Sequence, residues 1–457
     1  MTYFFETYGC QMNSAESAAF KGILKERGWT EAPDATEADL VMLNTCSVRI
    51  GAETRVLGRL AQYEALKKKR GHRPFTLVVA GCMASRLGAS LKVQAPAVDQ
   101  VMGTTETAQF PRLLAALEQG RPPEEREAEP LREKPLGSFA PFHGEAGQFR
   151  SLIPIMHGCN NFCSYCIVPY VRGREVSRDP QSIREEIKTA ARQGIREITL
   201  LGQNVNSYLW KPGNPGETLD FPGLLAVVAE EAEKNSIPWV RFLSSHPKDL
   251  SSQAIRVMAA HRVFCRHLHL CVQHGSNPIL AAMNRGYTRE AYLELVAEIR
   301  EAMPDISLST DILIGFPGET EEDLEQTLSL MEEVQFLYAY MYHYNPREGT
   351  AAFALPNRVS EGVKRKRLAR VIALQKGHTL ELLQSRIGRQ VKVLLEGISR
   401  KDAHELLART ERDEMVVVPG SPELLGSFAL VPLSSLRGNT FRAKELRLCP
   451  YDYSDSL

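Results

Sequence analysis

Over roughly the first 110 residues, short apolar runs alternate with amphipathic segments of helical period, a βα pattern that predicts a small parallel sheet. Residues 119–147 break the pattern: the stretch is rich in Pro, Glu, Arg and Gly, has no hydrophobic period and reads as a linker. A short run from Leu152 to Met156 then opens a longer βα alternation. Strands are expected at Glu197–Leu201, Trp239–Leu243, His267–Val272, Ser307–Ile314 and Leu337–Tyr344, with helices at 180–193, 221–233, 249–260, 288–302 and 320–334 between them. Six such units predict an open, partial barrel related to the eight-stranded form, with function at the carboxyl ends of its strands.

An amphipathic helix is expected over 361–386, carrying Lys364, Arg365, Lys366, Arg367 and Arg370 near its start. From Gly388 to Leu448, short β-rich runs separated by turns predict a small antiparallel barrel. The chain is therefore read as α/β in four parts. These are an N-terminal parallel α/β domain (1–118), the linker (119–147), a partial (βα)6 barrel (148–384) and a terminal β-barrel (385–450).

Composition narrows the setting. A hydrophobic share of 43% with 24% charged residues is that of a soluble globular chain, and no apolar run approaches the ~18 residues of a membrane span. The first residues, MTYFFETYGCQ, lack a basic leader followed by an apolar stretch, so a cytoplasmic setting is expected. Basic and acidic residues both total 55, so a nucleic-acid partner has to be held by local patches and not by a global field. In a reducing compartment the nine cysteines read first as metal ligands or core thiols.

The densest chemistry lies in IMHGCNNFCSYCIVPYVRGR, residues 155–174, where Cys159, Cys163 and Cys166 are spaced C-x3-C-x2-C. Three thiolates leave one corner of a four-iron cluster free for a ligand that is not protein. The same positions would also share one face of a helix, and His157 would complete a Cys3His zinc set. A disulfide reading fails, since an odd cysteine is left over. Upstream, Cys10, Cys46 and Cys82 lie 36 residues apart, each just past a predicted strand (Thr2–Thr7, Leu40–Leu43, Leu77–Ala80). Alone, each is a small buried residue. At equivalent ends of parallel strands, where ligands of open sheets sit, they make a second three-thiolate site.

Polar residues also collect at the expected barrel strand ends, in Gly202-Gln203-Asn204, Ser244-Ser245-His246, Gln273-His274-Gly275-Ser276 and Gly315-Phe316-Pro317-Gly318-Glu319. Their common end predicts a shared pocket. Cys265, Cys271 and Cys449 show no ligand spacing and read as core or surface thiols.

Three spread cysteines, a C-x3-C-x2-C loop with Tyr165 before its last cysteine, and a terminal β-barrel together resemble the methylthiotransferase branch of the radical S-adenosylmethionine enzymes, over nearly the whole chain. CSYCIVPYVRGREVSR and ITLLGQNVNSY are most similar to members that act on N6-(dimethylallyl)adenosine at position 37 of tRNA, whereas RFLSSHP and DILIGFPGETEED agree with the family at large. Two places depart: Cys271 and His274 stand where the family usually has Pro and Ser, and Tyr344 to Thr350 replaces a Ser-containing lead-in.

The resemblance implies two [4Fe-4S] clusters, one on Cys10, Cys46 and Cys82 and one on Cys159, Cys163 and Cys166, with S-adenosylmethionine as cofactor. Tyr165, Gly202, Gln203, Ser245, Gln273, Asp311 and Gly315 are the expected cofactor-binding residues, and the terminal barrel is expected to be TRAM-like and to bind RNA. Carbon 2 of adenine is neither nucleophilic nor acidic, so replacing its hydrogen calls for a radical. The family implication is that reductive cleavage of S-adenosylmethionine supplies it and that the other cluster delivers a methylthio unit.

Expected partners are tRNA, an electron-donor protein such as a flavodoxin or ferredoxin, and a sulfur donor. No membrane is expected, and the chain is expected to be a monomer. Arg172 and Arg174, just after the loop, are expected to touch substrate or phosphate, and the basic run from Lys364 to Arg370 is expected to help hold the tRNA body. Alternatives are the same chemistry on threonylcarbamoyladenosine 37 or, after that, on a ribosomal protein. A non-catalytic iron–sulfur or zinc RNA-binding protein is the reading from another class, separated by iron and sulfide content together with S-adenosylmethionine cleavage.

Overall fold

The computed structural model describes residues 1–47, 50–71, 75–121, 148–212 and 218–450. The expected linker from 122 onward lies outside the described residues. The N-terminal sheet is wholly parallel, with strands β1 (Thr2–Thr7), β2 (Thr30–Glu31), β3 (Leu40–Thr45), β4 (Thr76–Gly81) and β5 (Gln100–Met102) in the order β2-β1-β3-β4-β5. Strand β3, LVMLNT, is buried along its whole length, as a continuous apolar run requires when helices cover both faces. Helix α1 (Gln11–Glu26) packs Phe20 and Leu24 on one face, and helix α2 (Ile50–Arg70) packs Val56, Leu60 and Tyr63 on the other. The strand order reverses between β1 and β3, and a ligand crevice forms at such a switch point. Cys10 and Cys46 follow those two strands.

The central domain has the six expected parallel strands: Arg150–Pro154, Glu197–Leu201, Trp239–Phe242, His267–His269, Ser307–Ile314 and Tyr338–His343. The first three form one ladder and the last three another, and single parallel bridges, Val240 to Phe264 and Ser245 to Leu270, join them into an open barrel. Helices begin where a side chain caps them. Asp179, Asp220, Ser251, Thr288 and Thr320 each accept a backbone N–H from the first turn, which satisfies a donor the helix itself leaves unpaired.

The terminal domain forms the expected antiparallel sheet, of seven strands, with one parallel pairing between Met415–Pro419 and Thr440–Arg442. It docks on the amino ends of the barrel strands. Arg241 donates to the carbonyls of Glu411 (2.8 Å) and Thr410 (2.9 Å), Ser307 Oγ to that of Arg412 (3.1 Å), and Trp239 meets Phe428 edge-on. The turn after Thr410 thus closes the end of the barrel opposite the strand carboxyl ends.

Helix Glu361–Gln384 corrects the reading of its basic run. Lys364, Arg367 and Val371 follow helical spacing and lie on the buried face. Lys364 Nζ donates to the Tyr344 carbonyl at 2.9 Å, Arg367 Nη1 to the Glu319 carboxylate at 2.8 Å, and Arg370 pairs with Glu321 and Glu325. Arg367 thus ties the helix to the strand-end loop at Glu319 and Lys364 ties it to Tyr344, whereas Arg365, Lys366 and Arg370 are exposed, Arg370 pairing with the neighbouring helix Glu321–Val334.

Candidate active site between the N-terminal domain and the barrel mouth

The carboxyl ends of both parallel sheets face each other. Cys82 packs with Ile167 and Val171, Met12 and Ala15 pack with Leu201, and Thr104 Oγ1 donates to the Val171 carbonyl at 2.6 Å. Among the described residues two ion pairs cross the interface: Arg172 to Glu16 at 2.6 Å and Arg347 to Glu53 at 3.0 Å.

The first cysteine set is tied together from behind. Asn13 Nδ2 donates to Asn44 Oδ1 (3.1 Å) and the Thr45 carbonyl (2.9 Å), Asn44 Nδ2 returns to the Asn13 carbonyl (2.9 Å), and Thr45 Oγ1 reaches the Ala80 carbonyl (2.6 Å). These bonds link the first turn of α1, just past Cys10, to the ends of β3 and β4, which Cys46 and Cys82 follow. Burial pushes the Cys82 thiol up to about 11, Arg172 pulls it back, and Glu16, Cys46 and Cys10 add to the rise.

The second set sits on a loop whose backbone is fixed. Gly158 has φ +75°, and a Cβ there would strike the carbonyl of Arg174, so the two ends of the loop cross where only glycine fits. Burial, the largest cause, pushes the thiols of Cys159 to about 11 and Cys166 to about 12, and Cys163 raises both further. Arg285 Nη1 donates to Cys163 Sγ at 3.2 Å. Burial raises any thiol in this way, Cys265 included, and a bound metal would supply the positive charge these thiols need, because a coordinating thiol gives up its proton outright. A single zinc fits less well, since its thiolates would sit about 4 Å apart. Among the described residues the three side chains whose ligand atoms all fall within 4.8 Å are His269, Cys271 and Asp311, and neither cysteine set closes that tightly. His157, the candidate fourth zinc ligand, is neutral: burial and then Arg172 push it down to about 4.

A cavity of about 530 Å³ opens beside the loop, lined by Tyr165, Cys166, Gln273, Asp311, Tyr342 and Arg347. Three of the expected cofactor residues, Tyr165, Gln273 and Asp311, meet there. Gly202 allows close packing at a strand end, where a Cβ would lie 2.6 Å from Met156 Cγ. Gln203 is half-buried beside it. Ser245 is buried with its hydroxyl unpaired. Gly315 is not turned to the cavity in the same way, since its N–H is taken by Glu319 Oε2 at 2.6 Å and Lys364 packs against its α-carbon.

Arg172 requires a correction. It is 2% exposed and bonded to Glu16, facing the first cysteine set, so it is a buried counter-charge and not a phosphate contact. Arg174 lies over the Phe162 ring at 4.3 Å. Sequence reasoning missed Arg285, Glu53 and Arg347, which belong to no motif. Asn204 and His246, among the strand-end residues expected to share a pocket, carry the buried unpaired atoms Oδ1 and Nε2, and Asn206 Nδ2, which sequence reasoning passed over, is a third. Together with Ser245 Oγ, these are polar groups that await a partner, as a ligand pocket provides.

Family models match along the chain: the uncharacterized protein family UPF0004 over residues 2–103, the radical SAM superfamily over 153–331 and the TRAM domain over 384–444. A Treponema denticola protein named tRNA-2-methylthio-N(6)-dimethylallyladenosine synthase is 50% identical, covering 97% of this chain and 99% of its own length. A Porphyromonas gingivalis protein of the same name is 42% identical, covering 96% and 93%. Among solved structures, the radical S-adenosylmethionine methyltransferase TsrM from Kitasatospora setae aligns with a TM-score of 0.56 at 15% identity, covering 77% of this chain and 74% of that one, a likeness of fold. No helix among the described residues is long and apolar enough to cross a membrane. On the identity and coverage of these relatives, the chain belongs to the tRNA-2-methylthio-N(6)-dimethylallyladenosine synthase family of radical SAM enzymes.

Proposed function

We propose that the chain converts N6-(dimethylallyl)adenosine at position 37 of tRNA into its 2-methylthio derivative, with S-adenosylmethionine as co-substrate. The observation that carries this reading is the contact of Cys82, the last cysteine of the first set, with Ile167 and Val171, which follow the second set, beside a cavity that Cys166 lines. Cys159, Cys163 and Cys166 would hold one [4Fe-4S] cluster and Cys10, Cys46 and Cys82 a second. When bound, they supply the electron for reductive cleavage of S-adenosylmethionine and the sulfur for transfer.

The protein's own groups position and enclose. Arg285 holds positive charge against Cys163, and Arg172 does the same for the first set. Asn204, Asn206, Ser245 and His246 offer unpaired donors and acceptors to the polar end of the cofactor. Gln273 and Asp311 offer donor and acceptor groups to an adenine edge from the cavity wall, and Ile167 with Val171 keeps water from the space between the cysteine sets. The adenine has to leave the stack of the anticodon loop, which costs least in single-stranded RNA. An electron donor of the flavodoxin or ferredoxin class and a sulfur source are required.

The test supplies the cluster-loaded chain with tRNA bearing dimethylallyladenosine, S-adenosylmethionine, reductant and sulfide, and reads digested nucleosides by mass spectrometry. A methylthio product on this tRNA is expected. Product only on threonylcarbamoyladenosine tRNA or on a ribosomal protein would replace the substrate, and iron-loaded protein that never cleaves S-adenosylmethionine would restore the non-catalytic reading.

A further inference from the structure

At the wall of the cavity, three side chains with nitrogen, sulfur and oxygen donors converge one guanidinium away from the second cysteine set, since Arg285 bonds both Cys163 Sγ and the Cys271 carbonyl. His269 and Cys271 belong to the fourth barrel strand and the segment that extends it, and Asp311 to the fifth. Leu268, Leu270 and Val272 are packed in the hydrophobic core, so the period of two turns His269 and Cys271 the other way, into the barrel lumen. The strands run parallel with His269 opposite Ser309, which brings Asp311 level with Cys271. All three ligand atoms lie within 4.8 Å of one another, and His269 Nε2 is 3.6 Å from Asp311 Oδ2.

The surroundings fix these donors before anything binds. Ser309 Oγ is 3.0 Å from His269 Nδ1 and also 2.9 Å from His267 Nε2. With Nδ1 engaged, Nε2 is the nitrogen aimed at Asp311 and Cys271. Metal-ligating histidines are oriented in this way by a partner on the other ring nitrogen. The backbone of Cys271 is held separately: its carbonyl accepts from Arg285 Nη2 at 2.7 Å and Tyr287 Oη at 3.2 Å, and its N–H donates to the Ser245 carbonyl at 3.2 Å. The Tyr340 ring closes one side, edge-on to His269 at 5.6 Å.

We propose that His269, Cys271 and Asp311 bind one divalent ion of the zinc class in the barrel lumen, with its fourth position turned to the cavity that Asp311 lines. One thiolate, one imidazole and one carboxylate suit zinc, whereas magnesium and calcium take oxygen ligands and leave thiolates alone. Three protein ligands with one position open is the arrangement of reactive zinc sites, and structural ones are closed by four. Cys271, which sequence spacing left as an ordinary thiol, thereby gains a ligand set from a neighbouring strand. The proposal uses none of the six cysteines assigned to clusters, but it shares Asp311 and the cavity with the reading above, and an ion held there leaves the adenine edge to Gln273.

The test loads both clusters first, then equilibrates the protein with zinc sulfate and removes loose metal on a chelating resin. Zinc and iron are counted by mass spectrometry, and the donor set is read by X-ray absorption at the zinc edge, which iron does not obscure. About one zinc per chain with a single sulfur donor is expected. Cys271→Ser and Asp311→Asn should each weaken zinc binding by at least about tenfold, and Ser309→Ala by about tenfold, with iron unchanged. Cys265→Ser should have no effect. Failure of the wild-type chain to retain zinc, or equal retention by Cys271→Ser, overturns the site. An edge spectrum with two or more sulfurs also overturns it, by assigning the zinc to a cysteine set, and this wild-type reading decides even where a variant fails to hold its clusters.

Discussion

Arg172, on the short helix that follows the cysteine loop, bonds Glu16 of helix α1 at 2.6 Å, and both side chains are at most 3% exposed. The pair pins the N-terminal domain to the barrel beside Cys82. Removing one partner strands the other charge in a dry interface, so Arg172→Ala or Glu16→Ala should cost about 3–5 kcal/mol. The apolar double replacement Arg172→Met with Glu16→Leu should recover most of that loss. Denaturation of wild type, Arg172→Ala, Glu16→Ala and the Ala–Ala double closes a double-mutant cycle that checks this, with the Met–Leu double measured beside it, and a coupling near zero would mean the pair does not hold the domains.

The two cysteine sets should separate by function. Cys163→Ala and Cys82→Ala should each reconstitute about four irons per chain in place of about eight. The first should form no 5′-deoxyadenosine. The second should still form it but give no methylthio nucleoside, both products being measured in one reaction. Repeated turnover by Cys82→Ala would make the N-terminal set structural.

Acid should act through His246. Burial, then the charges of Arg285 and Lys248, push its pKa down to about 2, whereas in the unfolded chain it titrates near 6.5. Between those values the unfolded state binds one more proton at this position. The contribution is therefore full above about pH 6.5 and falls by about 1.4 kcal/mol per pH unit below it. His246→Gln removes that slope, so the stability difference between wild type and variant should narrow from pH 7 to pH 4 in the ligand-free protein. A difference that stays constant over this range would refute the shift.

The basic run of helix Glu361–Gln384 should report on folding before it reports on RNA. Lys364→Ala and Arg367→Ala each remove a buried charged hydrogen bond, worth about 1.5–3 kcal/mol, and should lower the thermal midpoint. Arg365→Ala with Lys366→Ala should leave the midpoint unchanged. If those two contact phosphates, the salt dependence of tRNA binding should flatten by about one unit of slope per lost contact. Removing the whole terminal domain would be a poor test, because it strips Arg241 of its carbonyl partners at the base of the barrel.

By itself the sequence determined the elements and their order, because hydrophobic period and burial follow the same rule. The continuous run of β3 could be stable only inside a covered parallel sheet, and the equal spacing of Cys10, Cys46 and Cys82 followed from equivalent βα units. The C-x3-C-x2-C loop was legible for the same reason, its ligands being close in sequence. What only the tertiary structure decided are the pairings between distant segments. Lys364 and Arg367 resembled a solvated patch until the helix turned them onto Tyr344 and Glu319. Arg172 resembled a substrate contact until α1 brought Glu16 against it. Cys271 had no neighbour in sequence that made it a ligand, and it acquired His269 and Asp311 only because adjacent strands pair in a register that no local pattern encodes.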